Sequence, residues 1–374
     1  MFLKIKRLHA DNYIAFVVLL QSLLVVFQHV LIFVFHIPEE ITTEYRVILT
    51  ALPLSVAIAL TMYRKWYVFF VVYSITILIL LINLTVFPQN SQYIRSQSIR
   101  FLLPVVIPSA LCLMYVSNIE IVEKALYKIS WVTTILVLIF VVNFFIGTFR
   151  IHSYSMGLSY ALLLPMITLY SKKTVYSLLA AFFLFLTILA IGSRGAAVIF
   201  FVYLIYDLFQ SNKKLVVLIL LILGVLILLL PIFAQWLQNV GISSRTLKLL
   251  LSERIITHMS GRDLIYEKMI NVFFENPIKG IGLFGDRYYL NGAYTHNLIL
   301  ELFLNWGFIG ATLILGFFSL KFIITFKKSN KANRNILIKY FLAGVMPLMF
   351  SGSYLTNYDL GVFIGVLFLV NKKS

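Results

Sequence analysis

The chain has 374 residues; 61% are hydrophobic, only 12% are charged, and the formal net charge is +17. Soluble domains sit near half apolar and about a quarter charged, so this composition excludes an ordinary soluble enzyme. It also turns the cationic surplus from a nucleic-acid signature into loop charge that orients membrane helices.

The apolar residues come in blocks of about 15 to 24, and about 20 helical residues cross a hydrocarbon core. Only helices and closed barrels satisfy their backbone polar groups in lipid, and these blocks are too long and too continuously apolar for barrel strands. An all-α polytopic membrane helix bundle with about twelve transmembrane helices is therefore expected. Met1-Phe2-Leu3-Lys4-Ile5-Lys6-Arg7 precedes an apolar run from Tyr13 to Phe35. That run exceeds a signal-peptide core and lacks a small-residue cleavage site, which predicts an uncleaved first span. Further spans are predicted near 45–62, 66–87, 99–117, 128–149, 156–170, 174–192, 195–209, 214–237, 306–327, 334–352 and 357–371. Prolines at 104, 108, 165 and 347 fall inside spans and are expected to kink them. The predicted organisation is 1–237 with helices 1–9, 238–305 as a large extracytoplasmic loop, and 306–374 with helices 10–12. The single cysteine, Cys112, lies in an apolar block, and no Cys/His spacing suggests a metal.

Charge along the chain sets the orientation. With the N-terminus inside, every inside segment is basic: Lys4, Lys6 and Arg7; Arg64 and Lys65; Lys124 and Lys128; Lys172 and Lys173; Lys213 and Lys214; Lys327, Lys328, Lys331 and Arg334; Lys372 and Lys373. Outside lie Glu39, Glu40 and Glu44. This pattern predicts cytoplasmic termini and an even number of spans. The short outside connections carry cations that are all arginine, namely Arg46, Arg95, Arg100, Arg150 and Arg194. Arginine presents a permanently charged planar fork that matches phosphate oxygens; the competing reading is simple burial in outer headgroups.

The loop is amphipathic. Ser243-Ser244 precede Leu247, Leu250, Leu251 and Ile255 at helical spacing. Ser260 and Asp263 have capping-box spacing ahead of a helix carrying Ile265, Met269, Val272 and Phe273 on one face and ending before Pro277. Gly280-Ile281-Gly282 and Gly285-Asp286 mark turns, and Thr295 is expected to cap a last helix opening with His296-Asn297.

No Walker loop, dinucleotide glycine pattern or nucleophile elbow occurs. Three outer constellations remain. Gly192-Ser193-Arg194-Gly195 joins two short spans; it reads as an anion contact or as a tight hairpin with a snorkelling arginine. Ser260-Gly261-Arg262-Asp263 opens a predicted helix, which suits an anion at a helix N-terminus or a plain loop charge pair. Tyr294-Thr295-His296-Asn297-Leu298 places a histidine at a helix start, as a general base or as an interfacial cap.

These three elements resemble the O-antigen ligase and O-antigen polymerase (Wzy-type) superfamily. The resemblance rests on Gly192-Ser193-Arg194-Gly195-Ala196; on Gly261-Arg262 followed by Phe274-Glu275-Asn276-Pro277-Ile278-Lys279-Gly280-Ile281-Gly282; and on Thr295-His296-Asn297 followed by Glu301 and Trp306-Gly307-Phe308-Ile309-Gly310. Arg150 with Tyr154-Ser155-Met156-Gly157 resembles an upstream element. The resemblance implies a GT-C-like glycosyltransferase in the bacterial cytoplasmic membrane. It would take undecaprenyl-diphosphate-linked oligosaccharides as donor and acceptor, with no cofactor and no metal. It implies catalytic Arg194, Arg262 and His296, with Arg100, Arg150, Arg287 and Asn297 on the substrate. The favoured activity is polymerisation of repeat units into capsule, exopolysaccharide or O-antigen; the alternatives are ligase-type transfer to another acceptor and a lipid-linked glycan flippase. A chain-length regulator and a flippase are the companions that the resemblance implies, together with the bilayer itself and no nucleic acid.

Overall fold

The computed structural model describes residues 2–145, 156–191, 193–211, 232 and 262–372. Among these the secondary structure is entirely helical. The protein is a polytopic membrane helix bundle. Among the described residues, five helices are long and apolar enough to cross a membrane, and three shorter apolar helices, Gly157–Ser171, Val175–Ile191 and Tyr358–Asn371, accompany them. The expected span at 214–237 and the amphipathic helix after Ser243-Ser244 lie outside the described residues.

In chain order, α1 is Phe2–Phe33 and α2 is Glu39–Val86. Two expected spans meet in α2 with almost no connection. The helix is broken only at Lys65 (φ −147°, ψ 44°), where the charges at 64–65 forecast a membrane boundary. A short 3-10 turn, Pro88–Asn90, leads into α3 (Ser91–Gln97), a π-helical stretch Ser98–Val106 and α4 (Ile107–Met114). Pro104 falls in the π-helical stretch; proline supplies no N–H, and π-bulges accommodate such irregularities. Next come α5 (Ile119–Phe145), α6 (Met156–Ser171), α7 (Val175–Ile191) and α8 (Arg194–Ser211). Beyond the undescribed residues come α9 (Arg262–Glu275), α10 (Gly285–Tyr289), α11 (Leu298–Lys328), α12 (Lys331–Gly344) and α13 (Tyr358–Asn371).

Two compact units emerge: Met1–Gln21, Val47–Leu126 and Gly261–Ser374 form the first, Ser22–Arg46 and Tyr127–Ser260 the second. In the second, α6, α7 and α8 pack together; the edge-on rings of Tyr170 with Phe200 and Tyr203 join α6 to α8, and Lys173 pairs with Asp207 at 2.6 Å.

The first unit has two polar ends separated by apolar helix. At one end buried Asp11 accepts from Arg64 and from the Ser117 N–H at 3.0 Å, while Lys372 donates to the Met114 carbonyl at 2.8 Å. At the other, Asn83 Oδ1 accepts the Leu283 N–H at 2.8 Å and Asn90 Nδ2 donates to the Ile281 carbonyl at 2.8 Å. The eighteen residues from Lys65 to Asn83 rise about 27 Å at 1.5 Å each, close to a hydrocarbon core. Between the ends, α13 lies directly on α4. A Cβ at Gly361 would overlap the Val106 carbonyl, and one at Gly365 would stand 2.8 Å from the Ala110 carbonyl. Small residues at this spacing are how membrane helices approach without a hydrophobic driving force.

The tightest feature is a crossing of two backbones. The Ile281 N–H donates to the Leu304 carbonyl and the Phe308 N–H to the Pro277 carbonyl, both at 2.7 Å. Helix α11 breaks at Gly307 (φ 65°, ψ −176°), which frees these groups, and residues 277–281 satisfy them. A Cβ at Gly307 would overlap the Ile278 carbonyl, and one at Gly280 (φ 69°) would stand 2.5 Å from the Leu304 carbonyl. The break at Gly307 separates a short helical segment that begins at Leu298 from the long apolar segment that runs to Lys328, so the expected start of a span at 306 coincides with it.

The crossing makes a stability prediction. The Gly307 conformation is essentially reserved for glycine and costs other residues about 1–3 kcal/mol, before the overlap with Ile278. Gly307→Ala should therefore lower the melting temperature in detergent sharply. Gly316→Ala, at a helical site with nothing within 4 Å, should leave it unchanged or slightly higher. Equal melting of both variants would contradict the crossing.

Candidate functional site

Helix α9 forms as its sequence periodicity predicts. Met269 and Val272 are buried against Ile281 and Leu304, with Ile265 and Phe273 beside them. Arg262 is the first described residue of α9, with Asp263 beside it. Ser260 and Gly261, the expected cap, lie outside the described residues.

The chain then passes the glycine crossing and enters α10, where two charged residues are buried. Asp286 is fully buried and Arg287 is 4% exposed. The Arg287 guanidinium donates to Asp286 Oδ1 and, at 3.0 Å, to Glu301 Oε1, and it lies over the Phe284 ring at 4.9 Å. Asp286 Oδ2 accepts both the N–H and the hydroxyl of Thr295, at 2.9 and 3.0 Å. Glu301, in the first turn of α11, also accepts from the Ser353 hydroxyl and from the Tyr354 N–H at 3.2 Å. Burial of three charges in one cluster is expensive unless each is paired and hydrogen-bonded, and here each is.

Thr295 is thereby spent on Asp286, and the expected Thr295 cap is corrected: Asn297 caps α11, its Oδ1 accepting the Leu300 N–H at 3.0 Å. His296 lies between these two anchors in the left-handed region, φ 58°. Its ring centroid is 4.0 Å from that of Tyr294, its carbonyl accepts from the Tyr266 hydroxyl of α9 at 3.4 Å, and its Nδ1 is buried with no hydrogen-bond partner. Burial, with the Arg262 charge next in size, pushes its pKa down to about 4; Asp286 opposes the shift and Arg287 adds to it. The imidazole is therefore neutral near pH 7 and able to accept a proton.

Along α9 and α11 runs an open apolar groove of about 500 Å³, lined by Tyr266, Ile270, Phe273, Phe303, Phe308 and Asn297 among others. It starts at the residues that hold the His296 carbonyl and cap α11.

The expected site residues thus divide. Arg262, Arg287, His296 and Asn297 come together in the first unit. Arg287 is enclosed by carboxylates, and the Asn297 side-chain oxygen serves the helix cap. Arg100 is exposed on the π-helical stretch, its guanidinium 5.5 Å from the Phe101 ring, and is not among the charges acting on His296. Arg194 belongs to the second unit, exposed as the first residue of α8, behind a buried Ser193 whose hydroxyl accepts the Ala196 N–H at 3.5 Å. Arg150 lies outside the described residues. Sequence reasoning gave no role to Asp286, Glu301 or Ser353. Glu301 had a signal, being an acidic residue at the head of an apolar span; Ser353 had none.

Residues 179–315 match the family model described as O-antigen ligase. The match covers Arg194, Arg262, Arg287, His296 and Asn297, and it supports the O-antigen ligase and polymerase superfamily that the motifs resemble. No curated protein and no solved structure matches the chain.

The electrostatics can be measured directly. With histidine isotopically labelled, His296 should titrate near pH 4, well below the ordinary 6.5. Arg262→Gln should raise that midpoint, since a depressing cation is removed. A midpoint at 6.5 or above in the parent protein would contradict the geometry around the ring.

Proposed function

With the O-antigen ligase match as premise, we propose that this protein is a glycosyltransferase that polymerises undecaprenyl-diphosphate-linked repeat units into surface polysaccharide. The reaction takes place on the outer face of the bacterial cytoplasmic membrane. The family match supports glycan transfer of the ligase or polymerase kind and a multi-pass bacterial membrane protein. The observation that carries the finer reading is local. Arg262 acts on a neutral histidine that stands beside the N-terminus of α11. A positive helix end and an arginine suit a diphosphate; the histidine suits an acceptor hydroxyl.

In the proposed step the acceptor hydroxyl oxygen attacks the anomeric carbon of the donor sugar, and the bond from that carbon to the diphosphate oxygen breaks. The electron pair leaves with the diphosphate, where Arg262 offsets the growing charge; Arg194, Arg150 and Arg100 are the further arginines that the resemblance assigns to the donor. The acceptor proton passes to the neutral His296 imidazole. A single displacement inverts the anomeric centre. The depressed basicity of His296 has a consequence here. An anion bound against Arg262 offsets the cation that helps hold the pKa down, so the base strengthens once the donor is in place.

The reading includes twelve spans in a GT-C-like bundle, cytoplasmic termini, and the regions 1–237, 238–305 and 306–374. The basic inside segments and the two polar ends of the first unit support the orientation. Arg287 and Asn297 sit close to the proposed donor site, and a flippase and a chain-length regulator are the expected companions. A second reading, transfer of a finished glycan to a different acceptor, is favoured by the description of the matching family as a ligase. The short chain and compact loop favour the polymerase.

Purified protein in liposomes, given only a lipid-diphosphate-linked repeat unit, should produce a ladder of lengthened glycans. Arg262→Ala and Arg194→Ala should each lower product by about 10²-fold or more, the scale of losing one transition-state donor. His296→Ala should lower it by about 10²–10⁴-fold, with normal membrane levels in all three. Arg194→Lys should stay impaired, because it keeps charge and loses the fork. A ladder that forms unchanged in the arginine variants would remove them from the mechanism. Product only upon adding a different glycan acceptor would favour the ligase.

A further inference from the structure

We propose that the buried chain Thr295–Asp286–Arg287–Glu301–Ser353 is a positioning device whose task is to hold His296 in its left-handed conformation; this rests on the glycosyl-transfer reading above. None of these five side chains reaches the proposed reacting atoms. Together they fix the backbone that carries the base.

Six hydrogen bonds run through the two carboxylates: two from Arg287, two from Thr295, one from Ser353 and one from the Tyr354 N–H. Asp286, Glu301, Thr295 and Ser353 are all at most 2% exposed. A cluster with two carboxylates and one guanidinium is not the cheapest way to fill a buried volume, since apolar replacements of such clusters are often neutral or stabilising. What this one does locally is specific. Thr295 is held twice by one Asp286 oxygen, and Asn297 is held by its cap to Leu300. The residue between them has φ 58°, a left-handed conformation that non-glycine residues disfavour. Freed on the Thr295 side, residue 296 relaxes toward negative φ and its ring turns away from the side where Arg262 acts on it.

The chain also has an order. Asp286 touches Thr295 directly, whereas Glu301 acts through Arg287 and ties the assembly to Ser353 and Tyr354, just ahead of α13. Disturbance at Asp286 therefore reaches His296 in one step, and disturbance at Glu301 in two. Asp286→Asn leaves Arg287 and Glu301 as a balanced pair, which favours retention of the fold. With its oxygen on Thr295 it keeps a weaker, neutral acceptor there and turns its NH2 toward Arg287, which retains Glu301 as its carboxylate partner.

The experiment measures turnover and donor KM separately in liposomes for Asp286→Asn, Glu301→Gln, Thr295→Val and Thr295→Ser. A misplacement of about 1 Å can cost about 10²-fold in rate. Asp286→Asn should thus lower kcat by about that factor with donor KM within about threefold, because Arg262 and the α11 N-terminus are untouched. Glu301→Gln should lower kcat less. Thr295→Val should lower it about tenfold, and Thr295→Ser, which restores the hydroxyl, should recover it. If Asp286→Asn does not fold, the Thr295 pair decides. Unchanged kcat in Asp286→Asn or Thr295→Val would overturn the proposal, and so would a rise in donor KM at constant kcat. An active His296→Ala would instead overturn the catalytic reading on which it rests. An inactive His296→Ala beside a fully active Thr295→Val would overturn the positioning role alone.

Discussion

The candidate site depends on a backbone contact with no room for a side chain. Residues 277–281 cross helix α11 where Gly307 breaks it, and two hydrogen bonds of 2.7 Å close the crossing. Everything around the site is placed by this contact. It brings α9 against α11, so that Tyr266 reaches the His296 carbonyl. It also sets residues 281–283, which Asn83 and Asn90 grip from the end of α2 and the turn after it. Gly282 belongs to the same constraint, since a Cβ there would overlap the Phe87 ring. The segments 276–282 and 306–310 are thus halves of one joint, although they lie far apart in sequence.

Upon this joint the chain builds an electrostatic asymmetry. Two carboxylates are interior and paired, Asp286 and Glu301 enclosed around Arg287, whereas Asp263 beside Arg262 is exposed. His296, on which the Arg262 charge acts, is neutral. Burial chiefly, and Arg262 next, make the histidine a weak base, and in the proposed function that arginine is the one the donor would engage. The adjoining groove between α9 and α11 is apolar, in keeping with a site that works at a membrane surface.

Much of this is visible in sequence wherever a local physical rule dominates. Apolar blocks forecast membrane helices, the cations at 64–65 forecast the break in α2, and the 3.6-residue spacing of Ile265, Met269, Val272 and Phe273 forecast the buried face of α9. The features that escaped are long-range. The expected span start at 306 falls at the Gly307 break, but only the approach of residues 277–280 shows why the chain opens there. Thr295 and Asn297 are both good caps by type; what decides between them is that buried Asp286 takes Thr295. Arg287 looked like the other outer arginines by its charge, yet it is enclosed by carboxylates from α10 and α11. One-dimensional reading ranks residues by type; partners nine, fourteen or fifty-two positions away reassign them.

The central claim is that this site recognises a lipid-linked diphosphate through Arg262, and binding tests it without requiring the correct sugar. Purified protein would be titrated with undecaprenyl diphosphate and with undecaprenyl monophosphate, each against Arg262→Ala. The account predicts tighter binding of the diphosphate and loss of that preference in the variant, while the monophosphate is little affected. Equal affinity for the two lipids, or a diphosphate preference that survives Arg262→Ala, would contradict it.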